Sequence, residues 1–191
     1  MSVIIEFDDV SKNYGNVPAV KNVSFKLKKG EILGFLGPNG AGKTTAMKLI
    51  TGYMPAQKGT VIIKGQDIRK DPLAARKSIG YLPENNPLYT DMTVMEYLDF
   101  IGRMRQIKDC RKAISSAMKK CGIKSVGHRI IGHLSKGYKQ RVGLAQAILH
   151  DPEIMILDEP VNGLDPKQIT EIRNLIKELG KEKTVILCSH I

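Results

Sequence analysis

A glycine-rich stretch, GPNGAGKTT at residues 37–45, lies between an apolar run, EILGFLG, and a helical pattern from about Lys43 to Thr51. Because glycine has no Cβ, closely spaced glycines let the chain curl tightly and point several backbone N–H groups toward one centre. The helix that follows adds the positive end of its dipole at the same place. A strand, a tight loop and a helix in this order therefore predict an α/β fold whose loop binds a polyphosphate.

The positions of Gly37, Gly42, Lys43 and Thr44 match the P-loop pattern G-x-x-x-x-G-K-[ST]. We expect the Lys43 ammonium to reach the β and γ phosphates of a nucleotide, and the Thr44 hydroxyl to bind Mg²⁺. A glycine-rich turn without a ligand is the alternative, but the strand before the loop and the helix after it favour the nucleotide. The predicted phosphate-binding residues are Gly37, Pro38, Asn39, Gly40, Ala41, Gly42, Lys43, Thr44 and Thr45.

Two acidic residues, Asp158 and Glu159, come directly after the apolar run IMIL. Asp158 alone could be a turn residue at the end of a strand. A P-loop ATPase, however, needs a carboxylate on a neighbouring strand to hold Mg²⁺ and a second group to activate the attacking water. The pair therefore predicts a metal ligand at Asp158 and a general base at Glu159.

The stretch LSKGYKQ, residues 134–140, has the features of a helix start. Ser135 is a residue type typical of an N-cap, and apolar residues follow it at helical spacing. The free N–H groups and the dipole at a helix start favour an anion. Ser135 and Gly137 therefore predict a second anion-binding site, far along the chain from the P-loop.

Apolar strands alternate with helical segments along the chain. We predict strands at VIIEFDDVSKNY, VSFKLKKG, EILGFLG, TVIIKG, IMILDEP and KTVILCSH, and helices at VMEYLDFIGRM, CRKAISSAMKKCG and DPKQITEIRNLIKELG. Continuous apolar strands separated by helices favour a parallel sheet that is covered on both faces. We expect the 191 residues to form one domain, residues 1–191, with a helical insertion at about 85–145.

Composition narrows the class of protein. No apolar run approaches the roughly 18–20 residues that a membrane helix needs. The start, MSVIIEFDDV, lacks the basic and apolar regions of a secretory signal. The three cysteines, Cys110, Cys121 and Cys188, have no C-x-x-C spacing, so we expect reduced thiols in a cytosolic protein.

The net charge of +11 comes from one segment. Residues 101–150 contain twelve Lys and Arg against one acidic residue, Asp109, whereas the rest of the chain has eighteen of each sign. A solvated helical face is one interpretation, and contact with anionic lipid headgroups or with an acidic partner is another. Nucleic acid is disfavoured, because Tyr138 is the only aromatic residue of the segment that could stack on a base.

Together these motifs resemble those of the ATP-binding subunit of an ABC transporter. GPNGAGKTT is similar to its Walker A motif, LSKGYKQ to its signature and IMILDEP to its Walker B strand. GLDP at 163–166 resembles the D-loop, His190 the switch histidine, and Tyr14 the aromatic residue that stacks on adenine. The resemblance implies a RecA-like P-loop NTPase core with a mostly parallel sheet, an N-terminal antiparallel β subdomain and an all-helical insertion. It also implies ATP and Mg²⁺ as cofactors, with Lys43, Glu159 and His190 as catalytic residues.

Two positions depart from the family pattern. Glu84, after GYLP, stands where the family usually has Gln, and its carboxylate would add negative charge beside the γ-phosphate. An acidic residue that only opens the ENNP turn is the alternative. The signature reads Ser-Lys-Gly-Tyr-Lys-Gln in place of Ser-Gly-Gly-Gln, although Ser135 and Gly137 remain. The resemblance then implies Thr44, Glu84 and Asp158 as the metal ligands.

The resemblance implies a motor subunit that hydrolyses ATP, forms a homodimer and drives a separate membrane permease as a peripheral protein of the cytoplasmic face. The loops YLPENNPLYTDMTVMEYL and LSKGYKQRV are most similar to ABC-2-type exporters, and among them to gliding-motility-associated subunits. A soluble ABC ATPase that acts on ribosomes or DNA is the alternative, and a single cassette with short helices disfavours it. A module that only senses nucleotide is also disfavoured, because the predicted catalytic residues Glu159 and His190 are both present. Because family members usually continue after the switch histidine, we expect a truncated gene or an expressed core.

Overall fold

The computed structural model describes residues 2–189, which contain eight strands and six α-helices. The strands are β1 Val3–Tyr14, β2 Val17–Lys28, β3 Ile32–Leu36, β4 Lys58–Ile63, β5 Gln66–Asp67, β6 Ile79–Leu82, β7 Ile154–Asp158 and β8 Thr184–Ser189. The helices are α1 Lys43–Ile50, α2 Pro72–Lys77, α3 Val94–Met104, α4 Cys110–Lys120, α5 Lys136–Ile148 and α6 Pro166–Gly180. Two short 3₁₀ turns, Lys124–Val126 and Ile131–His133, precede α5.

Four strands form an all-parallel sheet in the order β3-β8-β7-β6. Successive side chains of a strand point to opposite faces of its sheet, and β7 shows the consequence. Met155 and Leu157 pack with the helices of one face, while Ile154 and Ile156 pack with α1 and the second sheet on the other. All residues of β7 are buried, so the sheet is covered on both faces at its centre, whereas the edge strand β3 is partly exposed.

The other four strands form an antiparallel sheet in the order β2-β1-β4-β5. The inward residues of its central strand, Ile5, Phe7 and Val10, are buried in one apolar cluster with Met47 of α1. The rings of Phe7 and Phe25 stack there, with centroids 4.7 Å apart. This sheet therefore covers the same face of the parallel sheet as α1, and it brings β2 against the loop that precedes α1.

Helices α3, α4 and α5 pack around an apolar cluster on the opposite face of the parallel sheet. Helix α3 begins with a capping box, in which the side chains of Thr93 and Glu96 each accept from the other's backbone N–H. Leu98, Ile114 and Val142, one from each helix, are buried in the cluster. The apolar stripe of each helix thus faces the sheet, as amphipathic spacing predicts.

The structure confirms the predicted α/β fold, with a parallel sheet and an antiparallel β subdomain. The predicted helices agree with α1, α3, α4 and α6, although Thr51 caps α1 instead of belonging to it. Helix α2 and the short strands β5 and β6 are not predicted. Strand β6 packs closely under α5 at Gly80, where a Cβ would lie 2.1 Å from the carbonyl oxygen of Ala147.

Within residues 2–189, no helix combines the length and the apolar character that crossing a bilayer requires. Cys110, Cys121 and Cys188 are free thiols, as their spacing predicts. Burial raises the pKa of Cys121 to about 12, so this thiol stays protonated at neutral pH.

Candidate functional site

The loop of residues 37–42 joins the end of β3 to the start of α1. Gly40 and Gly42 both have a φ of 84°, in the left-handed region. At Gly42 a Cβ would also lie 2.0 Å from the carbonyl oxygen of Ala19, so only glycine fits between the loop and β2. Gly42 is the N-cap of α1 and supplies no side-chain hydrogen bond, which leaves the first N–H groups of the helix available to an anion.

Lys43 is the first residue of α1, and its side chain folds back over the loop. Its ammonium donates hydrogen bonds to the carbonyl oxygens of Gly37, at 2.7 Å, and Pro38, at 3.0 Å. A phosphate oxygen is a stronger acceptor than a backbone carbonyl, so the ammonium can exchange these bonds for charge-assisted ones. The loop thus holds a positive charge where the sequence predicts the phosphates.

Asp158 is the last residue of β7 and is 1% exposed. Because β3 and β7 belong to one parallel sheet, their carboxyl ends meet at the same edge, which brings Asp158 close to Thr44 and Lys43. Burial raises the pKa of the Asp158 carboxyl, and the charges of Glu84 and Glu159 add to the rise, which Thr44 and Lys43 oppose. Within residues 2–189, neither of its oxygens accepts a hydrogen bond of good geometry.

Glu159 follows Asp158 with a strained backbone. Its φ of 48° lies in the left-handed region, which costs a non-glycine residue on the order of 1–3 kcal/mol and recurs at functional sites. Its N–H donates to the carbonyl oxygen of Cys188 at 3.1 Å, which ties it to β8. The residue is 5% exposed. The fold therefore holds this carboxyl group in a buried, fixed position at the carboxyl edge of the sheet.

A groove of about 490 Å³ lies at this edge, and we call it the P-loop groove. Its lining residues are Tyr14, Val17, Pro18, Ala19, Asn39, Gly40, Ala41, Gly42, Lys43, Thr44, Thr45, Glu84 and Glu159. Tyr14 is half-exposed at the end of β1, and its hydroxyl donates to the sulfur of Met54 at 3.4 Å. An aromatic ring, a glycine-rich loop, an ammonium and two carboxyl groups thus surround one groove.

The residues at the P-loop groove fit a Mg²⁺ ion that arrives with a nucleotide. Thr44 and Glu84 line the groove, and the buried Asp158 lies close to Thr44, so three side chains offer the oxygen donors that Mg²⁺ prefers. Among the described residues, no group of three or more His, Cys, Asp or Glu is placed to hold a metal on its own. Phosphate oxygens and water would supply the other ligands, as in sites where Mg²⁺ binds through one or two carboxylates and a substrate.

Ser135 and Gly137 lie at a different place. Ser135 is the N-cap of α5, and its Oγ accepts a hydrogen bond from the N–H of Tyr138 at 3.4 Å. A pocket of about 250 Å³, the Ser135 pocket, is lined by Gly122, Ser135, Gly137, Tyr138, Arg141, Gln168, Glu171 and Ile172. None of these residues lines the P-loop groove. One copy of the chain therefore keeps its two predicted anion sites in separate pockets.

A protein-family model described as ABC transporter matches residues 20–162. The chain belongs to the ABC transporter family. The matched region of this ABC protein contains the P-loop, Ser135 and the pair Asp158 and Glu159. The family resemblance seen in its sequence motifs is therefore confirmed.

Known ABC proteins are similar over the whole chain. The uncharacterised ABC transporter ATP-binding protein YhcH of Bacillus subtilis is 41% identical over 194 residues, covering 100% of this chain and 63% of YhcH. The bacitracin transport ATP-binding protein BcrA of Bacillus licheniformis is 38% identical over 193 residues, again covering 100% of this chain and 63% of the relative. The structure of cbiO1 from Clostridium perfringens, part of the ABC transporter complex cbiONQ, has a TM-score of 0.88 at 30% identity, covering 100% of this chain and 80% of cbiO1. This ABC chain thus spans 63% of the length of the two curated relatives.

In this member of the ABC transporter family, the P-loop groove gathers residues that are distant in the sequence. Tyr14, residues 39–45, Glu84 and Glu159 share it, whereas Gly37, Pro38 and Asp158 are not among its lining residues. His190, the predicted switch histidine, lies outside the described residues. The roles of these residues in ATP binding and hydrolysis stay predictions.

Some residues at the P-loop groove of this ABC family member are not predicted from the sequence. Residues 17–19 line it, and the side-chain amide of Asn162 donates to Oε1 of Glu84 at 3.3 Å. A tight turn at Gly15 is the signal that could have found residues 17–19, because it returns β2 alongside Tyr14. Asn162 has no such signal, since a contact with a residue far along the chain depends on the packed fold.

Proposed function

We propose that this ABC transporter ATP-binding subunit is an ATPase that dimerises on binding ATP and drives a separate membrane permease. The P-loop groove carries the proposal, because the glycine-rich loop, Lys43 and the buried Glu159 line it, and the buried carboxyl group of Asp158 lies close to Thr44 and Lys43. Phosphoryl transfer requires mainly positioning and charge stabilisation. This groove offers a positive charge for phosphates, oxygen ligands for Mg²⁺ and a carboxylate for the attacking water.

Different residues at the P-loop groove have different roles in ATP hydrolysis. The loop N–H groups and the Lys43 ammonium bind the β and γ phosphates and neutralise the charge that develops during transfer. Thr44, Asp158 and Glu84 would hold Mg²⁺, which would supply further positive charge at the same phosphates. Glu159 accepts a proton from the attacking water.

Residues at the edge of the site complete the proposal. Tyr14 stacks on the adenine, for which its half-exposed ring at the groove is suited. His190 assists at the γ-phosphate. Ser135 and Gly137 of a second copy contact the same γ-phosphate, because the Ser135 pocket is separate from the P-loop groove in one chain.

We propose export as the direction of transport, with the subunit attached to the cytoplasmic face of the membrane through its permease. The similarity to BcrA, a bacitracin transport ATP-binding protein, supports a role in transport. The sequences at residues 81–98 and 134–142 are similar to those of ABC-2-type exporters, and among them to those of gliding-motility-associated subunits. This similarity supports export and assignment to that branch. The cargo depends on the permease.

Affinity purification tests this function. The tagged protein is purified from a detergent extract of its source cells, and its partners are identified by mass spectrometry. We expect a polytopic membrane protein to copurify, together with Mg²⁺-dependent ATP hydrolysis by the complex. A Lys43→Ala variant is the matched control for hydrolysis. Copurified ribosomes or DNA, without a membrane protein, would instead support a soluble ABC ATPase.

We expect Glu84→Gln to raise the Mg²⁺ concentration needed for half-maximal ATPase activity several-fold. The amide oxygen can still accept from Asn162, so the local structure persists, but one negative charge near the metal is lost. Binding of a fluorescent ATP analogue in EDTA should change less. Glu178→Gln, an exposed residue of α6 paired with Lys181, is the control. An unchanged Mg²⁺ titration would show that Glu84 is only a turn residue.

A further inference from the structure

Helix α4 and the ends of α5 and α6 enclose another groove, of about 480 Å³, which we call the α4–α6 groove. Its lining residues are Ile107, Lys108, Asp109, Lys112, Ala113, Ser116, Ala117, Lys120, Ile148, Leu149, Asp151, Leu179 and Lys183. None of them lines the P-loop groove or the Ser135 pocket. The proposed ATP chemistry therefore assigns no function to this groove.

The floor of the α4–α6 groove is apolar and is recessed below the side chains of its rim. Leu149 and Leu179 are buried beneath it. The residues that α4 contributes between its lysines are small: Ala113, Ser116 and Ala117. Small side chains let another helix approach closely, at the roughly 8–10 Å between axes that is usual for packed helices. The groove thus has the shape to receive a helix laid along α4.

The rim on the α4 side is positive. Lys112, Ser116 and Lys120 recur at four-residue intervals along α4, which places them on one side of the helix, and Lys108 lines the same groove from the turn before α4. Lys120 pairs with Glu182 at the end of α6. Within residues 2–189, neither Lys108 nor Lys112 forms an ion pair. Their charges are exposed and available to a ligand.

The acidic residues of the α4–α6 groove are already engaged. The Asp109 carboxylate caps α4 by accepting from the N–H of Lys112 at 3.2 Å. Asp151 forms an ion pair with Lys183. A ligand that satisfies Lys108 and Lys112 must therefore bring its own carboxylates, next to an apolar surface that fits the floor.

We propose that the α4–α6 groove binds an acidic amphipathic helix of a partner protein. The apolar face of that helix packs on Leu149 and Leu179, and its carboxylates meet Lys108 and Lys112. Burial of the apolar face supplies the affinity, since exposed ion pairs contribute little, while the charges select the partner. A flat bilayer surface does not follow a recessed floor, which disfavours lipid headgroups here.

Peptide binding by the whole chain, without nucleotide, tests the proposal. The probe is a fluorescent 18-residue synthetic peptide with leucines at helical i, i+3, i+4 and i+7 spacing and glutamates elsewhere, measured by anisotropy at physiological salt. The comparison probes are a scrambled peptide of the same composition and vesicles of phosphatidylglycerol and phosphatidylcholine. We expect the amphipathic peptide to bind at least about tenfold more tightly than the scrambled one.

Matched variants assign the binding to the groove. Lys108→Glu with Lys112→Glu should weaken peptide binding about tenfold or more. Lys119→Glu with Lys177→Glu makes the same change of net charge at exposed residues outside the groove and should weaken it less than threefold. Ala113→Gln should also weaken binding, because it places a long polar side chain over the floor.

Other outcomes would overturn the proposal. Equal binding of the scrambled peptide would show that the protein attracts acidic peptides only through non-specific charge. Equal losses of peptide affinity in the two double variants would show the same. Vesicle binding that depends on Lys108 and Lys112, without peptide binding, would make the surface a membrane contact. Absence of binding by every probe would show that the groove is only a solvated surface.

Discussion

Glu159→Gln is expected to lower ATP hydrolysis about 10²-fold or more while ATP binding persists, because an amide cannot accept the proton of the attacking water. The structure makes this substitution conservative in shape. Glu159 is 5% exposed, and its backbone is held by the carbonyl oxygen of Cys188. Gln fits the same space, so the folded state should be retained. Phosphate release assays and binding of a fluorescent ATP analogue measure the two effects separately.

The same variant should accumulate as an ATP-bound dimer, with doubled mass by size-exclusion chromatography, because the γ-phosphate is no longer removed. Glu178→Gln, on the exposed face of α6, serves as the control and should hydrolyse ATP normally. Thermal melts of both variants exclude misfolding. Near-normal hydrolysis by Glu159→Gln would assign the base to another residue, with His190 the first alternative.

A mixture of two inactive variants, Lys43→Ala and Ser135→Arg, is expected to recover nucleotide trapping. We propose that the anion for the Ser135 helix start is the γ-phosphate held by the Lys43 loop of a second copy. Two copies related by a twofold axis then form two equivalent sites, each with one P-loop groove and one Ser135 pocket. Lys43→Ala removes the ammonium from the loop, and Ser135→Arg fills the pocket. Each homodimer therefore has two damaged sites.

In the mixed dimer, both lesions fall in one site, and the other site pairs a native Lys43 with a native Ser135. We expect about one trapped nucleotide per mixed dimer, measured with radiolabelled ATP after isolation through two affinity tags. Ser135→Arg also removes a helix cap, a loss of about 1 kcal/mol. Asp71→Arg removes the cap of α2 and adds the same side chain, so it controls for this loss. Normal hydrolysis by Ser135→Arg alone, or no recovery in isolated mixed dimers, would contradict the shared site.

The local features of the P-loop could be predicted because they are encoded by neighbouring residues. Glycines at positions 40 and 42 permit the left-handed backbone that the loop requires, and the apolar run before them indicates the strand β3. The same holds for Ser135, whose residue type predicts the N-cap that the structure contains. Strand β6 escaped prediction, because its pairing with β7 and its packing under α5 at Gly80 involve distant residues.

The sequence by itself determined the α/β class, the phosphate loop and the chemical types of the site residues, because these depend on short-range pattern. Only the tertiary structure decided the environment of those residues. Packing of β7 at the centre of the sheet buries Asp158 and raises the pKa of its carboxyl. Folding of β1 and β2 brings Tyr14 beside the P-loop, and the packing of α5 keeps Ser135 in a pocket of its own. Burial and proximity arise from contacts between distant segments, which no local pattern encodes.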